Sequence, residues 1–422
     1  MELFRSFPFI LLIFIEIMND KTLLKQAKEH LDVLCSVIRE RRVGGEGNRE
    51  ATAYVKNKFK ESGWATEETL LYVMDWKTKG AHLICGKASF EVFSSPYSLG
   101  CSVQGELFPV DNFKKLKKSD ISDKIVFLYG EIASEQIMPK NFVFYNPEGH
   151  QQIIAALEKK QPKAIVCATE RDSACAGGVY PFPLFEDGDF DIPSVYMKDT
   201  EGEKLLACSG KMVSLDSKAQ RIPETAYNVM ARKNGSIQKR IVITAHIDAK
   251  IGTSGAIDNA TGVAVLLLLA ELLKDYKGKY GIELVAFNGE DYFAVPGQMK
   301  YIEQNEAKFG DIALNINIDG AGYKEGLSSF STFELPDDFQ KKLNDVIRKN
   351  PNIVEGLPWV QGDHSIFLQY GCPAVAVSSN WFIEHMDNQD ITHTPKDNLS
   401  IVNYQRIPEC ALAISEFIQS LD

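Results

Sequence analysis

Short runs rich in β-branched and small apolar residues recur through the last two-fifths of the chain. They are Ile241-Val-Ile-Thr-Ala245, Ile282-Glu-Leu-Val-Ala-Phe287, Ile312-Ala-Leu-Asn-Ile-Asn-Ile318 and Pro373-Ala-Val-Ala-Val377. Runs of this length, separated by helical segments, predict interior, mostly parallel strands of an α/β sheet. Between the first two, Ala260 to Lys274 carries Val263, Leu266, Leu267, Ala270 and Leu273, which predicts a helix buried on most sides. An amphipathic helix is predicted from about Tyr404 to Ser420. Near the start, Leu24, Ala27, Leu31, Leu34 and Ile38 recur at helical spacing. After the loop Arg41-Arg-Val-Gly-Gly-Glu-Gly47, a second helix runs from about Asn48 with Ala51, Val55 and Phe59 on one face, and Gly63 stops it. This helix pair is expected to cover the sheet.

The pattern changes between 77 and 222. Runs such as Ile125-Val-Phe-Leu-Tyr129, Lys163-Ala-Ile-Val-Cys167 and Ile192-Pro-Ser-Val-Tyr-Met197 are set apart by Gly, Pro and Asp, with one helix around Gly149 to Lys160. Residues 77–222 therefore read as a small β-rich domain inserted into a larger one formed by 18–76 and 223–422. Residues 1–17 contain the apolar stretch Phe7 to Ile15, too short to span a bilayer. Glu2 opposes Arg5, and Glu16-Ile-Met-Asn-Asp20 offers no small-residue cleavage site. Taking Met18 as the start implies a cytoplasmic protein with no membrane span. A signal-like leader or anchor over 1–17 is the alternative.

Composition narrows the function classes. With 422 residues, 45% of them hydrophobic, the chain can bury a large core, and its formal charge of −11 without a basic, aromatic-interleaved stripe argues against nucleic acid as a partner. The cysteines at 35, 85, 101, 167, 175, 208, 372 and 410 show no Cys-x-x-Cys spacing, so a thiolate metal site is not expected.

The chemistry is concentrated where the apolar runs end. His246 and Asp248 follow the first, Glu290 and Asp291 the second, and Asp319 the third, while Asp258 and His393 lie on loops between elements. Ligand sites of parallel α/β sheets lie beyond the carboxyl ends of their strands, so these side chains are expected to converge. Each alone has an ordinary explanation: a His-Asp hydrogen bond, a solvated loop, a helix cap, a turn. Together, imidazole and carboxylate donors suit two divalent ions about 3.5–4 Å apart, with a bridging carboxylate to offset their charge and a spare carboxylate as general base. Such ions lower the pKa of bound water to about 7.

Thr244-Ala-His-Ile-Asp248, Gly255-Ala-Ile-Asp-Asn-Ala-Thr-Gly262, Asn288-Gly-Glu-Asp291, Asn317-Ile-Asp319 and His393-Thr-Pro395 resemble, in order, the motifs of the co-catalytic di-zinc aminopeptidases and glutamate carboxypeptidases. The resemblance implies a zinc exopeptidase fold and two zinc ions per chain. It implies that His246 and Asp319 hold one ion, Asp291 and His393 the other, and that Asp258 bridges them. Glu290 would be the base, and Asp248 would orient the His246 imidazole. Thr261 stands where the family often has Ser, at a position that coordinates nothing. The 77–222 segment more loosely resembles a protease-associated domain through Asp123-Lys-Ile-Val-Phe127 and Ile192-Pro-Ser-Val195. The implied activity is hydrolysis of a terminal peptide bond in a peptide substrate, as an aminopeptidase or dipeptidase. The alternatives are a glutamate carboxypeptidase-type enzyme, a glutaminyl cyclase-like enzyme and a non-catalytic receptor-like member. Tyr323 and Tyr370 are candidate oxyanion donors, His364 is expected near the cleft without coordinating, and His385 is expected on the surface.

Overall fold

The computed structural model describes residues 21–143, 146–171, 178–234, 237–386 and 388–422. The leader assigned to 1–17 lies outside them. Among the described residues, no helix is long and apolar enough to cross a membrane.

The apolar runs form the centre of a mixed sheet. In chain order its strands are β1 (Ala65–Cys85), β2 (Ala88–Phe90), β3 (Phe93–Ser94), β4 (Cys101–Val110), β5 (Ile125–Leu128), β6 (Ala164–Thr169) and β7 (Ser194–Lys198). Then come β8 (Met212–Lys233), β9 (Arg240–His246), β10 (Gly281–Phe287), β11 (Ile312–Ile318), β12 (Ser328–Phe333), β13 (Ile353–Glu355) and β14 (Ala374–Ser379). Across the main sheet the order is β13-β12-β14-β11-β9-β10-β8, with β1 beside β8. Strands β14, β11, β9 and β10 run parallel, and β12 and β8 flank them antiparallel.

Side chains on successive residues of a strand point to opposite faces, and the sequence follows that period. Ile241, Ile243 and Ala245 of β9, Leu284 of β10 and Ile316 of β11 face one core, shared with Leu31, Val55 and Phe59 of the N-terminal helices, Val263 and Leu266 of the helix Thr261–Leu272, and Ile414 and Phe417 of the helix Arg406–Ser420. Val242, Val285 and Phe287 face a second core with Tyr301, Ile366 and Phe367. Helices thus cover both faces, as the parallel, unbroken apolar runs require.

Between 77 and 222, β4, β5, β6 and β7 make a second, mainly parallel sheet. Its two faces bury separate cores, one under the helix Glu148–Lys160 and the other around Leu205 of the helix Asp199–Leu205. The two sheets are joined by the ribbon of β1 and β8, paired from Ala65↔Arg232 to Ile84↔Ser214. One end of β8 pairs with β10 and the other with β4. Sequence periodicity did not predict this ribbon, because its middle is a two-stranded span with few buried positions, where no continuous apolar stripe forms.

Candidate metal centre

Register brings the site together. β9 and β10 pair up to Phe287↔His246, and β9 and β11 up to Asn317↔Thr244, so the residues after all three strands emerge at one end of the sheet. His246, almost wholly buried, points Nε2 to within 3.2 Å of Asp258 Oδ1 and 3.6 Å of Asp319 Oδ1. Asp258 lies in the irregular turn Ala256–Ala260 ahead of the helix Thr261–Leu272. Its other oxygen, Oδ2, is 3.2 Å from His393 Nε2, which is in turn 2.9 Å from Asp291 Oδ1. Asp258 thus faces an imidazole with each carboxylate oxygen. Two sets of potential ligand atoms, from His246, Asp258 and Asp319 and from Asp258, Asp291 and His393, each lie within 4.8 Å of one another. Glu290 joins His246 and Asp291 in a third such set.

The cluster concentrates carboxylates around two imidazoles, and the ionisation of its members reflects it. Burial opposes protonation of His246 and His393, yet Asp319 beside the first and Asp291 beside the second, together with the carboxylate of Asp258 close to both, hold the two imidazoles well above their usual range. Burial pushes the Glu290 carboxyl well above the usual carboxylate range. His246 Nε2 and Asp291 Oδ2 are buried without a well-aligned hydrogen bond among the described residues. Unsatisfied imidazole nitrogen and carboxylate oxygen, converging on a shared carboxylate, fit a borderline divalent ion such as zinc.

Backbone scaffolding holds these donors. The Asp248 carboxylate accepts N–H bonds from Gly289 at 2.7 Å and Asp291 at 3.0 Å, fixing the loop that carries both acids. The expected hold on the His246 ring is shared: Nδ1 lies 3.7 Å from Asp248 Oδ1 but 3.1 Å from the Asp248 backbone carbonyl. Asp397 accepts from the N–H groups of Ile257 at 2.7 Å and Asp258 at 3.1 Å, and burial pushes its carboxyl up to about 7. Arg41, almost fully buried, donates to four backbone carbonyls: Ile247 at 2.8 Å, Leu34 at 2.6 Å, Ser254 at 2.7 Å and Gly255 at 2.8 Å. It ties the loop between the N-terminal helices to the segment that runs from His246 to Asp258. Sequence reasoning missed both residues. Asp397 shares the short loop of His393, but Arg41 carries no local signal, since its partners lie up to 214 residues away.

A cavity of about 410 Å³ opens over the cluster and is lined by Asp258, Glu290, Asp291, Asp319 and His393. Apolar walls come from Tyr292, Phe293, Trp359 and Phe382, and the 77–222 segment contributes Met138, Phe142 and Glu186. Lys250 also lines it, its ammonium 2.8 Å from Glu186 Oε1. Neither tyrosine considered as an oxyanion donor lines this cavity: Tyr323 packs on Trp381 and Phe382, and Tyr370 stacks on Phe309. His364 is buried behind Trp359, donating from Nε2 to that residue's carbonyl at 2.9 Å, and burial lowers its pKa to about 4. His385 is half-buried, stacked on Trp381.

Residues 228–418 match the model described as Peptidase family M28. "Aminopeptidase YwaD" of Bacillus subtilis (strain 168) is 21% identical over 257 residues, covering 58% of this chain and 54% of that protein. The chain thus spans little more than half the length of the curated relatives it first matches. Among solved structures, an aminopeptidase from Aneurinibacillus sp. strain AM-1 superposes with a TM-score of 0.72 at 20% identity, covering 94% of this chain and 95% of that one. BSAP, a zinc aminopeptidase from Bacillus subtilis, gives 0.72 at 18% identity with 94% of each chain covered. These likenesses establish a mixed α/β fold with a central sheet flanked by helices.

Proposed function

We propose, from the match of residues 228–418 to the model of peptidase family M28, that the chain is a di-zinc exopeptidase acting as an aminopeptidase or dipeptidase. The observation that carries this reading is Asp258, with one carboxylate oxygen facing His246 and the other facing His393. His246 and Asp319 would hold one ion, Asp291 and His393 the other, with Asp258 shared. When bound, the ions polarise the scissile carbonyl and supply hydroxide at neutral pH. Glu290 takes the proton from the attacking water and returns it to the leaving amine. Asp248 keeps the Gly289–Asp291 backbone in place throughout.

The aminopeptidase names of matched relatives, such as "Aminopeptidase YwaD" of Bacillus subtilis, favour an amino-terminal grip. Retention of both imidazoles, all three aspartates and Glu290 disfavours the single-metal cyclase and the non-catalytic readings. Residues 77–222 act as an insert that closes one wall of the cleft through Met138 and Phe142.

Two measurements test the reading. The zinc-loaded protein is expected to cleave aminoacyl peptides and to spare their N-acetylated counterparts. The opposite preference would replace it with the carboxypeptidase alternative. Asp258→Asn is expected to reduce bound zinc from two ions towards none, whereas retention of two tightly bound ions by metal analysis would remove Asp258 from its shared role.

A further inference from the structure

One lysine ammonium stands in a cavity otherwise walled by acids, neutral polar and apolar groups and the imidazole of His393. Among the described residues that line it, Lys250 is the one Lys or Arg. Its ammonium has three N–H donors, and among the described residues it makes one hydrogen bond, to Glu186 Oε1 at 2.8 Å. Glu186 is steadied from its other side by Gln136, whose Nε2 lies 3.3 Å from Oε2. The carboxylate thus fixes where the ammonium sits without using all its donors. Lys250 lies near enough to the reacting centre to be influenced by the charges of Asp291 and Glu290.

We propose that Lys250 receives the terminal carboxylate of the substrate, so that short peptides, dipeptides first, are the class this cleft takes. The proposal rests on the exopeptidase reading above. A free dipeptide carries an ammonium and a carboxylate no more than about 7 Å apart along its backbone. Lys250, on the wall of the same cavity, complements the second charge. Glu186 belongs to the 77–222 insert, so the insert sets the length of peptide accepted by placing the cation. Glu186 also lowers the net positive charge at that point, which makes the Lys250 site weaker for a carboxylate than a lone ammonium would be.

This last point separates recognition from mere bracing. Dissociation constants of Leu-Gly and its C-terminal amide are measured by calorimetry on zinc-loaded Glu290→Gln protein, where turnover does not intervene. Adding Lys250→Met is expected to weaken Leu-Gly about 10- to 100-fold more than the amide. Adding Glu186→Gln breaks the same ion pair but is expected to shift the acid-to-amide preference the opposite way, towards tighter Leu-Gly binding. If the two substitutions change that preference in the same direction, or leave it unchanged, Lys250 is a brace between the insert and the main sheet and the proposal is overturned. Because binding is read without catalysis, an inactive wild-type protein would count against the exopeptidase reading alone.

Discussion

Glu290→Gln is expected to lower kcat by about 10²- to 10⁴-fold, with KM nearly unchanged and both zinc ions retained. Glutamine keeps the size and much of the hydrogen-bonding shape of glutamate but cannot take up a proton. The adjacent Asp291 is the built-in control. Its Oδ1 lies 2.9 Å from His393 Nε2, among the potential ligand atoms shared with Asp258. Asp291→Asn is therefore expected to shed metal as well as activity. Zinc analysis beside steady-state kinetics on the two variants gives opposite metal signatures from neighbouring acids. Near-native turnover in Glu290→Gln, or zinc loss as severe as that of Asp291→Asn, would reverse the assignment of base and ligand.

The largest effect on stability is expected at Arg41. Replacing it with Met removes a guanidinium that serves four carbonyls, those of Leu34, Ile247, Ser254 and Gly255, and leaves them buried without that donor. Hydrogen bonds to charged groups contribute about 1.5–3 kcal/mol each, though not additively, so the loss is expected to reach at least about 4 kcal/mol. That is a large part of the roughly 5–15 kcal/mol that holds a typical domain folded. Lys is not a substitute, because a single ammonium cannot reproduce the planar fork. Denaturant titration would show the midpoint falling steeply for Arg41→Met and Arg41→Lys alike, with zinc affinity falling in whatever remains folded. A loss below about 1 kcal/mol in both would show that the clamp is incidental.

Much of this molecule is legible in its sequence because two periodicities are cleanly written. The Ile241–Ala245 run and its parallel neighbours contribute to both cores, and their ends carry His246, Glu290, Asp291 and Asp319, so strand direction alone predicts where those groups gather. Asp258 and His393 join them from loops whose path no periodicity reveals, and it was motif resemblance that pointed to their place. The strand Ser328–Phe333 was not anticipated, since its serines mask the apolar pattern even though Ser329 and Ser331 are buried. The β1–β8 ribbon escaped because its pairing, not its own burial, defines it. Lys250 and Glu186 meet across 64 residues through a hydrogen bond that composition cannot foretell.

The Arg41 clamp also bears on how the chain comes to be made. Its carbonyl partners at Ile247, Ser254 and Gly255 follow it by 206 to 214 residues, and Asn48, seven residues on, waits 240 residues for Asn288. At synthesis rates of about 5–20 residues per second, the N-terminal helices leave the ribosome roughly 10–40 s before the strand and loops that complete their core. During that interval the apolar faces around Leu31, Val55 and Phe59 have no sheet to cover. The 77–222 segment, whose two cores lie within residues 83–215, emerges in between. Completion of the main core is thus a late event in synthesis, and the first two helices are expected to keep their apolar faces unpaired until then.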